Sequence, residues 1–156
     1  MEPQVRYHVV QGFRIGYPAG WRIDVDPGQR LPVGLTAKPP WWPFGWWAEY
    51  QVSLLPHAAS LEDAVEEHLK SARDASDFVL EGREKVVVGA SAPGYVLRSF
   101  YIEYAPDMES FPTGETVLLT VTERGQLLKV RYTCARQRCG FEEAAIRSVM
   151  KSVVPT

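Results

Sequence analysis

The stretch from Pro93 to Cys134 constrains the fold more than any other part of the chain. In "PGYVLRSFYIEYA", Val96, Phe100, Ile102 and Tyr104 alternate against Tyr95, Leu97 and Tyr101. Successive side chains of a strand point to opposite faces, so this is a long strand with apolar groups on both sides. "GETVLLTVTERGQLLKVRYTC" follows as two strands joined at Arg124–Gly125. There Val117, Leu119 and Val121 oppose Thr116, Thr120 and Thr122, the pattern of a half-buried strand. Consecutive strands with short connections pair antiparallel.

The remaining segments extend that sheet. "GFRIGYPAGWRIDV" alternates on either side of "YPAG", where Pro18 presets φ and Gly20 permits a turn, and it reads as a hairpin over residues 12–25. "AEYQVSLLP" and "FVLEGREKVVVG" read as further strands, the latter as one or two short ones. Ser60 opens a helix as its cap, with Asp63 in a weak capping box. Leu61, Ala64, Val65, His68, Leu69 and Ala72 form its apolar stripe. A closing helix is expected from about Phe141 to Val153, stopped by Pro155. The fold class is α+β: an antiparallel β-sheet flanked by two main helices. At 156 residues the chain is expected to form a single domain spanning 1–156.

Charge and motifs exclude more than they assign. The formal net charge of −2 offers no basic excess, so no nucleic-acid partner is expected. Lys129, Arg131, Arg136 and Arg138 form a local cluster, read as ordinary solvated side chains. No stretch reaches the roughly 20 apolar residues of a membrane helix, so no transmembrane segment is expected. The amino terminus shows no signal-peptide pattern, and the expected location is cytoplasmic. The four-residue spacer between Cys134 and Cys139 leaves a small disulfide loop open to geometry, and reduced thiols are the default expectation in a cytoplasmic protein. No phosphate-binding loop, nucleophile elbow or zinc-protease motif occurs. His8, His57 and His68 are scattered, and His68 reads as a partly buried histidine rather than a metal ligand. Asp24 and Asp26 read as a strand end and turn, and Glu62, Asp63, Glu66 and Glu67 as a solvated helix face. Glu103 and Glu109 flank a loop, but a carboxylate pair needs a pocket to do chemistry. No catalytic residue, metal site or cofactor is expected, and enzyme activity is not.

The functional signal is "KPPWWPFGWWAEY". It lies at the end of a Pro- and Gly-rich excursion over residues 26–47 and holds four of the five tryptophans. Prolines 39, 40 and 43 forbid a helix or a central strand there. Five aromatic rings in the seven positions 41–47 cannot all turn inward from so stiff a segment. Exposed apolar patches mark interfaces, and tryptophan is enriched at their hot spots. Trp41, Trp42, Phe44, Trp46 and Trp47 are therefore the candidate partner-binding residues, for a protein partner or a second copy of the chain. Other readings are a cap on the core, the wall of a pocket for an apolar small molecule, and contact with a membrane surface. Only Arg30 and Lys38 flank the rings, so the membrane reading lacks the second signal that stable attachment requires.

The order of segments resembles the Mog/PsbP-like superfamily, in its DcrB-like bacterial branch. The hairpin "GFRIGYPAGW" matches its opening. The helix start Ser60-Leu61-Glu62-Asp63-Ala64, the Gly89-Ala90 and Pro93-Gly94 step, and the strand end Tyr132-Thr133-Cys134 follow in the expected order. The resemblance implies a curved antiparallel sheet flanked by helices, with residues 26–47 as an insertion. It implies a non-catalytic binding domain, since members bind macromolecules or act as adaptors that shield hydrophobic segments. It supplies no catalytic motif.

Overall fold

The computed structural model describes residues 5–10, 13–18, 22–25, 33–38, 48–55, 60–89, 91–104, 109–122, 125–136, 139, 146, 147, 150, 154 and 155. Among the described residues, ten strands and one helix run in the order β1 (Val5–Val10), β2 (Phe13–Pro18), β3 (Arg22–Val25), β4 (Val33–Lys38), β5 (Ala48–Leu55), α1 (Leu61–Ala72), β6 (Ser76–Val88), β7 (Ala92–Tyr104), β8 (Ser110–Val121), β9 (Leu127–Ala135) and β10 (Val154–Pro155). They form a three-stranded sheet, β1-β2-β10, and a seven-stranded sheet, β3-β4-β5-β9-β8-β7-β6. Every pairing is antiparallel.

The sequence pattern holds where strands are consecutive. β7, β8 and β9 pair in order, and Gly125 takes φ +73° in the β8–β9 turn, a backbone conformation that suits glycine. The Ser60 hydroxyl accepts from the Asp63 amide at 3.1 Å, capping α1 as expected. β6 is a single 13-residue strand rather than one or two short ones. Two register shifts against β7 and a left-handed Asp77 break its alternation, which makes it look discontinuous in sequence.

Two expectations are overturned. Residues 12–25 are not a hairpin: β2 pairs with β1 and β10, whereas β3 pairs with β4 in the other sheet. Alternation on both sides of a turn is also what a chain shows when it leaves one sheet for another. The excursion is also not strand-free, because β4 sits between β3 and β5. β4 itself contains no proline, since Pro32 precedes it and Pro39 follows it, so the ladder is left intact. Of the closing helix expected over 141–153, only Ile146, Arg147 and Met150 are described. Among the described residues, no helix is long and apolar enough to cross a membrane.

The large sheet carries a core cluster on each face. Val52, Val130, Leu118 and Val96 lie in one row across β5, β9, β8 and β7. Tyr50, Tyr132, Ile146 and Met150 pack into the same cluster. The Tyr50 hydroxyl donates to the Gly16 carbonyl at 2.8 Å and ties the two sheets together. Arg147 pairs with Glu84 of β6. Cys134 and Cys139 form a disulfide at the same end of β9, with Cα atoms 5.4 Å apart. This corrects the expectation of free thiols. Gly114 makes room for it: a Cβ there would come within 2.5 Å of the Cys139 Sγ.

On the opposite face, α1 lays Leu61, Ala64, Val65 and Leu69 against Tyr95, Leu97, Val117, Leu119 and Leu127. This contact explains the helical stripe, since apolar area removed from water contributes about 25 cal/mol per Å². Farther along the same face the lining turns polar, and that change positions the candidate site.

Candidate functional site

A cleft of about 530 Å³ opens between the C-terminal half of α1 and the sheet. Such a volume falls within the range of small-molecule sites. Leu55, Ala64, Ala72, Leu119 and Leu127 supply apolar wall, while His68, Tyr101, Glu115, Lys129 and Arg131 supply polar groups. Glu67 and Glu103, both exposed, stand among its lining residues.

Strand register brings these groups together. Glu115 of β8 lies directly between Ser99 of β7 and Thr133 of β9, all on the face that α1 covers. Its diagonal neighbours, two residues along each flanking strand, are Tyr101 and Arg131. Such diagonals are within reach of long and aromatic side chains. Arg131 Nε donates to Glu115 Oε2 at 2.8 Å, the Tyr101 hydroxyl donates to the same oxygen at 3.1 Å, and Arg131 Nη2 donates to the Tyr101 oxygen at 3.0 Å. The three side chains close a hydrogen-bonded ring across three strands. The Glu115 side chain is only 5% exposed, so this ring compensates a carboxylate largely removed from water.

His68 reaches the ring from α1. Its Nε2 lies 3.7 Å from Glu115 Oε1, beyond hydrogen-bond reach. Burial, helped by Lys129 and Arg131 and opposed by Glu115, lowers its pKa to about 4, so the imidazole is neutral at pH 7. Burial, reinforced by Glu115, pushes the Tyr101 phenol up to about 12. Burial also lowers the pKa of the Lys129 ammonium, with Glu115 opposing and Arg131 assisting. Among the described residues Lys129 has no ion-pair partner within 4 Å.

The sequence located only part of this. His68 is partly buried, as expected. Lys129 and Arg131 are not ordinary solvated side chains: both line the cleft, and Arg131 is bound to Glu115. Arg136 is exposed, 3.6 Å from Glu81 and stacked over the Phe100 ring. Glu115 and Tyr101 were not singled out. The available signal was a charge set inside long apolar strands, in "TGETVLLTV" and "LLKVRYTC". Among the described residues, no group of three or more His, Cys, Asp or Glu is placed to hold a metal ion. Trp41, Trp42, Phe44, Trp46 and Trp47 lie outside the described residues. The strands flanking them are neighbours in the sheet, and Ala48, where β5 begins, pairs with Cys134. One residue farther, Glu49 pairs with Thr133 in the row that holds Glu115.

No protein-family profile matches the chain, and no curated protein matches it. Solved structures do. A Pseudomonas aeruginosa protein of unknown function, PA94, superposes with a TM-score of 0.63 at 15% identity, covering 97% of each chain. LpqN of Mycobacterium tuberculosis, involved in cell envelope biogenesis, superposes with a TM-score of 0.53 at 12% identity, over 98% of this chain and 91% of that one. At such identities the likeness is one of fold.

Proposed function

We propose that the chain is a single, non-catalytic binding domain of the Mog/PsbP-like kind, whose cleft between α1 and the sheet holds a small amphipathic molecule. The supporting observation is the lining: apolar side chains from α1, β5, β8 and β9 beside a few convergent polar groups in about 530 Å³. Binding is favoured over catalysis because Glu115 is held by Arg131 and Tyr101 and serves as a fixed counter-ion. The test is an NMR titration with octyl-chain probes. Saturable shifts of the His68 and Tyr101 ring signals are expected, and Ala72→Phe, which narrows the cleft, should abolish them at an unchanged melting temperature. Probes that leave both rings unmoved in the wild type would overturn this reading.

A second reading concerns Trp41, Trp42, Phe44, Trp46 and Trp47, as a surface for a protein partner or a second copy. It is supported by the density of rings between two paired strands, β4 and β5. Replacing Trp41 and Trp46 by Ser should leave the melting temperature near wild type and abolish self-association in sedimentation or partner capture. Unfolding of that variant would assign the rings to the core instead. The disulfide favours an oxidising compartment over the cytoplasm. The envelope role of LpqN points the same way.

A further inference from the structure

Building on the cleft reading, we infer that the cleft selects an acid: it takes a monocarboxylate with an apolar tail, the carboxylate seated between Lys129 and Arg131. The charges that face the cleft support this. Arg131 and Lys129 come from β9, Glu115 from β8, Glu103 and the Tyr101 hydroxyl from β7, and Glu67 and the neutral His68 from α1. Glu67 and Glu103 are exposed and screened by water. Inside, Glu115 neutralises one of the two cations, which leaves a single positive charge held by two adjacent donors on one strand.

Lys129 is the group in want of a partner. Placing an ammonium away from water is unfavourable, and Arg131 adds repulsion. Lys129 and Arg131 point to the same face of β9, two residues apart, so one compact anion reaches both. A carboxylate accepts from both donors through its two oxygens. A doubly charged phosphate would carry one charge too many beside Glu115. A neutral headgroup would leave the ammonium uncompensated. The apolar wall of Leu55, Leu119 and Leu127 lies beside the cations, where the tail follows the headgroup.

The experiment compares octanoate, 1-octanol and octylammonium by NMR titration of the full chain. Octanoate should bind on the order of tenfold to a hundredfold more tightly than 1-octanol, the range that charge-assisted hydrogen bonds supply, and octylammonium most weakly. Lys129→Met keeps the apolar stem and should remove that preference, so that octanoate binds no more tightly than 1-octanol. Lys129→Arg should retain it, which separates loss of charge from loss of fold. Equal affinities for octanoate and 1-octanol would overturn the acid assignment and leave the cleft reading standing. Octyl phosphate binding more tightly than octanoate would overturn the monoanion assignment. Absence of binding by every probe would overturn both.

Discussion

The two faces of the seven-stranded sheet are made by the same strands and differ in kind. On one, Val52, Val130, Leu118 and Val96 run side by side, and Tyr50, Tyr132, Ile146 and Met150 pack with them. On the other, apolar packing under α1 gives way to Glu115, Arg131, Tyr101 and Lys129 around open space. Charged groups removed from water oppose folding unless compensated, and on the second face the ring of Glu115, Arg131 and Tyr101 supplies that compensation.

The comparison can be broken most forcefully from the closed face. Leu118 is fully buried, and Leu118→Ala should lower unfolding free energy by about 4 kcal/mol in urea titration. The same variant should leave octanoate affinity unchanged, because Leu118 points away from the cleft. Loss of binding with retained stability would contradict the separation of faces.

The cleft face should show itself through pH. His68 has a pKa of about 4 in the fold against about 6.5 unfolded, so the unfolded chain binds more protons between those values. Stability from this group is complete above pH 6.5 and is lost as pH falls through 4. His68→Gln should flatten the decline in that window by about 2 to 3 kcal/mol, read from denaturant midpoints at pH 4 and 7. An unchanged pH profile would mean that the imidazole is not shielded as described.

The smallest effect sharpens the contrast locally. Ser60→Ala removes the α1 cap and should cost about 1 kcal/mol. Amide exchange should accelerate in α1 and hardly change along the Val130 row. Equal acceleration on both faces would show that they open as one unit.

What the sequence disclosed follows from how local each signal is. The α1 cap, its stripe and the β8–β9 turn are written within a few residues, and each was legible. The transfer of the chain from β2 to β3 between sheets was not, because "YPAG" obeys hairpin grammar whichever strands it joins. β4 was masked by the glycines and prolines around it. The disulfide depended on compartment more than on spacing. The cleft was least legible of all. Glu115, Arg131 and Tyr101 meet across sequence separations of 14 to 30 residues, and only strand register reveals that they are neighbours. His68 was visible as an oddity on an apolar stripe, although its surroundings were not.

The ring of Glu115, Arg131 and Tyr101 also works as an alignment gauge for the three central strands. Shifting β8 by one position would turn the carboxylate to the opposite face, away from its hydrogen-bond partners Arg131 and Tyr101. The same slip would drive a side chain into the space that Gly114 leaves for the Cys139 sulfur. Mispaired versions of the sheet are thus penalised on both sides at once, and the groups that give the cleft its charge also help the chain to find one arrangement.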